Sequence, residues 1–145
     1  MKYSSIWEVI NLTSEEKIIS LLACNKIVSL NEFVDDFFLK DYFETAKEIE
    51  NLIEKGYVNP VGKGKFELHD SIQVIDLKSN LRKKIIANIS ELFLDMNEKK
   101  NNLDYNFNLF SDLEKLWGNW IKDDLNIVYT GIKKSLQKEI RERMK

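Results

Sequence analysis

Proline, histidine and cysteine each occur once in this chain, and glycine only five times. So few helix breakers favour long helices. Cys24, being alone, forms no intrachain disulfide, and its place in the apolar run Ile19-Ser20-Leu21-Leu22-Ala23-Cys24 marks it as a buried, inert thiol. His69 has no second imidazole with which to share a metal. No Ser/His/Asp set stands at recognisable spacing and no Walker pattern is found, so we expect no catalytic residues, no metal ligands and no cofactor. Apolar runs fall well short of the roughly 18 to 20 residues that span a bilayer. The start, Met1-Lys2-Tyr3-Ser4-Ser5-Ile6-Trp7-Glu8, lacks the apolar core of a signal peptide. A cytoplasmic protein without a membrane partner is the expectation.

What is present is ordinary in bulk and uneven in detail. Apolar residues make up 43% and charged residues 32% of 145 positions, the balance of a globular chain. The net charge of −2 conceals a split: residues 1–77 hold 8 cations against 14 anions, giving −6, and residues 78–145 hold 14 against 10, giving +4. Such polarity suits head-to-tail association, intramolecular docking or an anionic partner for the second half.

Local signals place most elements. Thr13 with Glu16, and Ser29 with Glu32, form capping-box patterns, and Asp41 with Glu44 gives a third helix start. Ile27-Val28 reads as a short strand, and Phe33, Val34 and Phe37 as the inner side of a short second helix. In the third helix, Tyr42, Phe43, Ala46, Ile49, Leu52 and Ile53 recur at helical spacing, and Gly56 sits where a left-handed cap ends it. Tyr57–Asn59 and Lys65–Leu68 flank the turn-forming Pro60-Val61-Gly62-Lys63-Gly64. Asp70-Ser71 then caps a helix running to about Lys99, its apolar face drawn by Ile72, Ile75, Leu81, Ile85, Ile89, Leu92 and Met96. Lys99–Asn102 reads as a linker and the stretch to Asn108 as a loop pinned by Leu103, Tyr105 and Phe107. Two last helices, Ser111 to about Lys122 and Asp124 to the end, are expected to form an antiparallel hairpin about Asp123-Asp124.

The order helix, strand, helix, helix, wing is that of a winged helix-turn-helix, in which the third helix reads DNA. Here that helix carries Asp41, Glu44, Glu48, Glu50 and Glu54 against Lys47 and Lys55, a charge of −3, and no arginine. Carboxylates facing phosphates oppose counterion release, and arginine makes the commonest specific base contact. Sequence-specific DNA binding is therefore disfavoured. Glu44 and Glu48 instead mark a docking face, to which the wing lysines Lys63 and Lys65 could add. The turn Gly62-Lys63-Gly64-Lys65 is not a phosphate loop, because its spacing is wrong and it leads into a strand. Further basic residues are Lys78, Arg82, Lys83 and Lys84, and a C-terminal face of Lys134, Lys138, Arg141 and Lys145. Trp117-Gly118-Asn119-Trp120 places a glycine inside a helix, where it permits close approach of a neighbour, with both tryptophans as contact residues.

The run Leu52-Ile53-Glu54-Lys55-Gly56-Tyr57-Val58, followed by Gly64-Lys65-Phe66-Glu67-Leu68-His69-Asp70-Ser71-Ile72, resembles the winged-helix module of the STAND signalling NTPases. The resemblance spans about Leu12 to Leu77. It implies that His69, in the His-Asp motif, reports on nucleotide held by a neighbouring NTPase domain, with Asp70 as the helix cap beside it. Leu116-Trp117-Gly118-Asn119 is similar to the first helix of a tetratricopeptide hairpin, although Thr130-Gly131 replaces the alanine of the second.

The fold expected is mainly α: a winged helix with a two- or three-stranded wing at residues 5–77, then a helical extension at 78–145 with a long helix and a C-terminal hairpin. The function expected is non-catalytic regulation or protein–protein interaction, with a protein partner or self-association. The alternative is a winged-helix transcriptional regulator dimerising through its C-terminal helices, similar in size and order to the PadR and MarR families.

Overall fold

In the computed structural model, residues 4–37, 39, 41–98, 111–128 and 130–131 are described. Helix α1 (Ser4–Val9), too short to show a periodic pattern, precedes α2 (Ser14–Cys24). The capping box that opens α2 is complete: Glu16 N–H donates to Thr13 Oγ1 (3.2 Å) and Thr13 N–H donates to Glu16 Oε1 (2.9 Å). The second box forms too, with Ser29 N–H and Glu32 N–H each donating to the other's side chain at 3.1 Å. It opens a π-helical turn, Glu32–Asp36, in which Phe37 N–H donates to Glu32 O five residues back. Phe33 plugs the core from this turn, and Trp7 Nε1–H donates to Phe37 O at 2.6 Å, tying α1 to it.

Helix α3 (Tyr42–Glu54) starts at Asp41, whose carboxylate accepts from Glu44 N–H at 2.8 Å. It stops as the sequence requires. Gly56, at φ +79°, lets its own N–H reach Ile53 O and Tyr57 N–H reach Leu52 O, both at 3.0 Å, the paired bonds of a Schellman motif. Strands β1 (Val28–Ser29), β2 (Val58–Gly62) and β3 (Lys65–Leu68) form an antiparallel sheet in the order β1-β3-β2. Val28 faces Phe66, and Val58 faces Leu68; an irregularity between Pro60 and Gly62 bends the outer strand before the turn at Lys63-Gly64. The chain thus has a mainly α fold with a small β wing.

Helix α4 (Ile72–Glu98) continues without a break. Its cap is Ser71 and not Asp70: Val74 N–H donates to Ser71 Oγ (3.3 Å) and Ile75 N–H to Ser71 O (3.0 Å), while the Asp70 side chain is fully exposed. The inward register is also shifted from the expected one. Val74, Leu81, Ile85 and Ile89 are buried, whereas Ile72 and Ile75 lie on the solvent side, 78% and 53% exposed. Periodicity names the apolar positions of a helix but not where its packing partner begins. The same correction applies to α3, where Thr45, Ile49 and Leu52 are buried and Tyr42 and Phe43 are exposed.

A last helix, α5 (111–128), runs straight through Asp123-Asp124. The turn expected there does not form. Ile121 and Leu125, four residues apart and both fully buried, require helical continuity, and Asp124 is held by Arg82 of α4 at 2.6 Å. The second arm of the expected hairpin, beyond residue 131, the linker at Lys99–Asn102 and the loop to Asn108 lie outside the described residues. One hydrophobic cluster joins Ile6, Ile18, Leu21, Val28, Phe33, Leu52 and Val58 of residues 5–77 to Ile85, Ile89, Leu116, Trp117 and Leu125 of residues 78–145.

Candidate interaction surface

Helix α3 offers its surface by arithmetic. At 100° per residue, Phe43, Lys47, Glu50 and Glu54 fall within about 60° of one another, opposite the buried Thr45, Ile49 and Leu52. All four are exposed, and Phe43 stands 78% open to solvent. A phenylalanine so placed contributes nothing to the core, and water contact costs free energy over most of its ring. Glu44 is exposed and Glu48 half-buried beside this stripe. Asp35 engages Tyr42 Oη through both carboxylate oxygens (2.8 and 2.7 Å), and this hydrogen bond, with smaller help from burial, raises the phenol above its usual range.

The cation at the foot of the helix is already engaged. Lys55 Nζ stands 2.8 Å from Glu15 Oε1 of α2, a bond that holds the ammonium above its ordinary value. Glu16 takes Lys84 of α4 in the same manner, at 2.8 and 2.9 Å. Burial pushes the Glu16 carboxyl up, yet the bonds from Lys84 and Thr13 outweigh it and leave the group below its usual value of 4.5. Of the basic group Lys78, Arg82, Lys83 and Lys84, two are therefore neutralised within the fold, Arg82 by Asp124 and Lys84 by Glu16.

The wing carries Lys63 and Lys65 on exposed positions, with Val61 beside them 39% exposed. His69 follows directly on β3, and its backbone N–H donates to Tyr57 O at 2.8 Å, lengthening the ladder. Its Nδ1 is buried without a hydrogen-bond partner among the described residues and lies 3.9 Å from Asp70 Oδ1. Among the described residues, no three His, Cys, Asp or Glu side chains group as metal ligands.

The tryptophans divide. Trp117 is a core residue and not a contact residue: it is fully buried, its Nε1–H donates to Ser20 Oγ at 3.1 Å, and its ring meets Trp7 edge-on, with centroids 5.6 Å apart and planes at 71°. Lys17 Nζ covers the other aromatic, 5.6 Å from the Trp7 centroid. Trp120 is half-buried against the same core. Among the described residues, no neighbouring helix comes close to Gly118: a Cβ built there would meet only Glu114 of its own helix, 3.3 Å away at Cγ. Cys24 is half-buried, and burial raises its thiol, with the Asn119 and Trp120 backbone pulling it partly back. Lys134, Lys138 and Arg141 lie outside the described residues.

The α3 stripe therefore gathers exposed apolar surface and negative charge in one place. Sequence reasoning named Glu44 and Glu48 as docking residues, counted Glu50 and Glu54 only in the charge of the helix, and set Phe43 on its inward face, where the structure instead leaves it exposed. Phe43 lies at the edge of that apolar face, about 60° from Ala46 and 180° from Leu52, so its cover depends on a packing partner and not on helical spacing. Comparison with family models, with characterised proteins and with solved structures gives no significant match. No helix among the described residues is long and apolar enough to cross a membrane.

Proposed function

We propose that this chain is a non-catalytic regulatory module, a winged helix whose acidic third helix docks a protein partner or a second copy. The observation that carries the reading is the outward stripe of α3, which sets Phe43 beside Glu50 and Glu54 where a DNA reader would present cations. Aromatic residues are enriched at the centres of protein interfaces. The STAND resemblance favours the same role, with His69 and Asp70 at the wing's end, and the setting proposed is the cytosol. The transcriptional-regulator reading draws on the exposed Lys63 and Lys65 at the wing tip.

Mobility shift on random duplex DNA at low salt separates the two. The docking reading expects no complex. Binding that falls steeply as salt rises would overturn it, because a phosphate contribution would then be present despite the acidic helix.

A further inference from the structure

We propose that α3 receives an amphipathic helix of a partner protein, one that carries a lysine or arginine among its apolar contact residues to meet Glu50. The inference rests on the docking-face reading above and names the partner's chemistry. Phe43, Ala46, Glu50 and Ile53 follow one another at spacings of three, four and three, and at 100° per residue they fall within about 80°. Helices pack along one another at that spacing. Phe43 is open to solvent, while Ala46 and Ile53 are half-buried, with Ile53 packed on the margin of the core. The seam so drawn joins exposed apolar surface to the packed interior and runs for about 15 Å.

One charge interrupts the seam. Glu50 lies between Ala46 and Ile53, exposed, and among the described residues neither it nor Glu54 has an ion-pair partner. Glu54 follows Glu50 by four residues, a like-charge spacing that destabilises a free helix. The last turn of α3 holds no basic residue to offset the negative carbonyl end, and Lys55, next to Glu54 in sequence, is turned to Glu15. Lys47 stands about 60° from Glu50 and 100° from Ala46, on the side away from the seam. A cation arriving opposite Glu50 therefore meets both carboxylates and the helix end. The face forgoes local stability at each of these points, and such departures mark functional surfaces.

Charge also decides among the occupants. A second copy would set seam against seam, adding no seam cation to either Glu50 and bringing together two helices that each carry −3. A wholly apolar helix would cover Glu50 and leave it unpaired. A nucleic-acid backbone would repel it. A seam lysine or arginine neutralises the carboxylate and fixes the register at which the two helices meet, as a single polar position does between packed helices.

The test uses the full chain and two fluorescent amphipathic peptides of about 18 residues, with leucine along the seam and either arginine or glutamate at its central position. Fluorescence anisotropy should show the arginine peptide bound at least about tenfold more tightly than the glutamate peptide. Glu50→Lys should reverse that order, whereas Glu91→Lys, the same change of net charge at an exposed position of α4, should leave it unchanged. Phe43→Ala should weaken the arginine peptide by about fivefold or more without altering far-UV circular dichroism. Equal binding of the two peptides, or an order that Glu50→Lys does not reverse, overturns the inference. If Phe43→Ala still weakens that unselective binding, the docking face stands and only the seam cation is rejected. A dimer of the chain alone, seen by light scattering and dissociated by Phe43→Ala, likewise keeps the face and rejects the partner helix. A monomeric chain that binds neither peptide at about 1 mM rejects both.

Discussion

Replacing Ser20 with alanine probes the contact that seats α5. Trp117 is fully buried, and Ser20 Oγ is the acceptor of its indole N–H at 3.1 Å. Without that oxygen the N–H has no partner, and an orphaned buried donor costs about 1–3 kcal/mol. Two effects reduce the cost. Alanine is the better helix former by a few tenths of a kcal/mol, and the hydroxyl's own bond, to Lys17 O at 2.8 Å, merely duplicates an acceptor already used in the helix. A net loss of about 1–2 kcal/mol is expected for Ser20→Ala. For 145 residues the unfolding entropy is about 0.3 kcal/mol per kelvin, so Tm should fall by about 3–7 °C. Trp117→Phe removes the donor along with part of the ring, and about 2–3 kcal/mol should be lost. The double variant should then be less destabilised than the sum, by about 0.5–1.5 kcal/mol, because Ser20→Ala orphans nothing once the indole is gone. Thermal and urea unfolding followed by circular dichroism supply all four corners of the cycle. A Tm change below about 1 °C for Ser20→Ala, with additive effects in the double variant, would refute the seating of α5 on α2 through this bond.

Other outcomes follow from single sites. Glu16→Gln should cost about 1 kcal/mol at neutral pH, since it weakens both the capping box and the Lys84 pair. Because the folded-state pKa of Glu16 lies below 4.5, its stabilisation is complete above that value and fades as pH falls through the lower one, so the Tm gap between wild type and variant should close in acid. A gap independent of pH would show that charge plays no part. Gly118→Ala should raise stability by up to about 1 kcal/mol, since among the described residues the new methyl meets only the movable Glu114 side chain; destabilisation would mean that something else fills that space. Cys24 should react with a thiol reagent at pH 8 several-fold more slowly than a free thiol, since burial raises its pKa and limits access.

What the sequence made legible is mainly what neighbours along the chain decide. Both capping boxes, the Asp41 cap and the Gly56 stop depend on groups within six residues of each other, and each is found where its residue types pointed. Burial of helix ends is different. Ile72, Ile75, Tyr42 and Phe43 lie near helix starts, and whether such residues are covered depends on which element arrives there from far along the chain. The expected turn at Asp123-Asp124 failed for the same reason: two aspartates look like a break until Arg82, 42 residues earlier, is found holding Asp124. Trp117 shows the converse error, a core residue given a surface role because tryptophan serves both settings. Of the candidate surface, the charge is legible in the sequence, whereas the exposure of Phe43, which helical spacing sets beside the apolar face, is not.

The three-strand sheet also limits how this chain can meet others. One edge strand, β1, is two residues long, and the other, β2, carries Pro60, which has no N–H to give, next to an irregular register. Both edges are thereby blunted against an added strand, the usual guard against sheet-to-sheet aggregation. Recognition by backbone pairing is closed off, and a partner is left to meet side chains on helices.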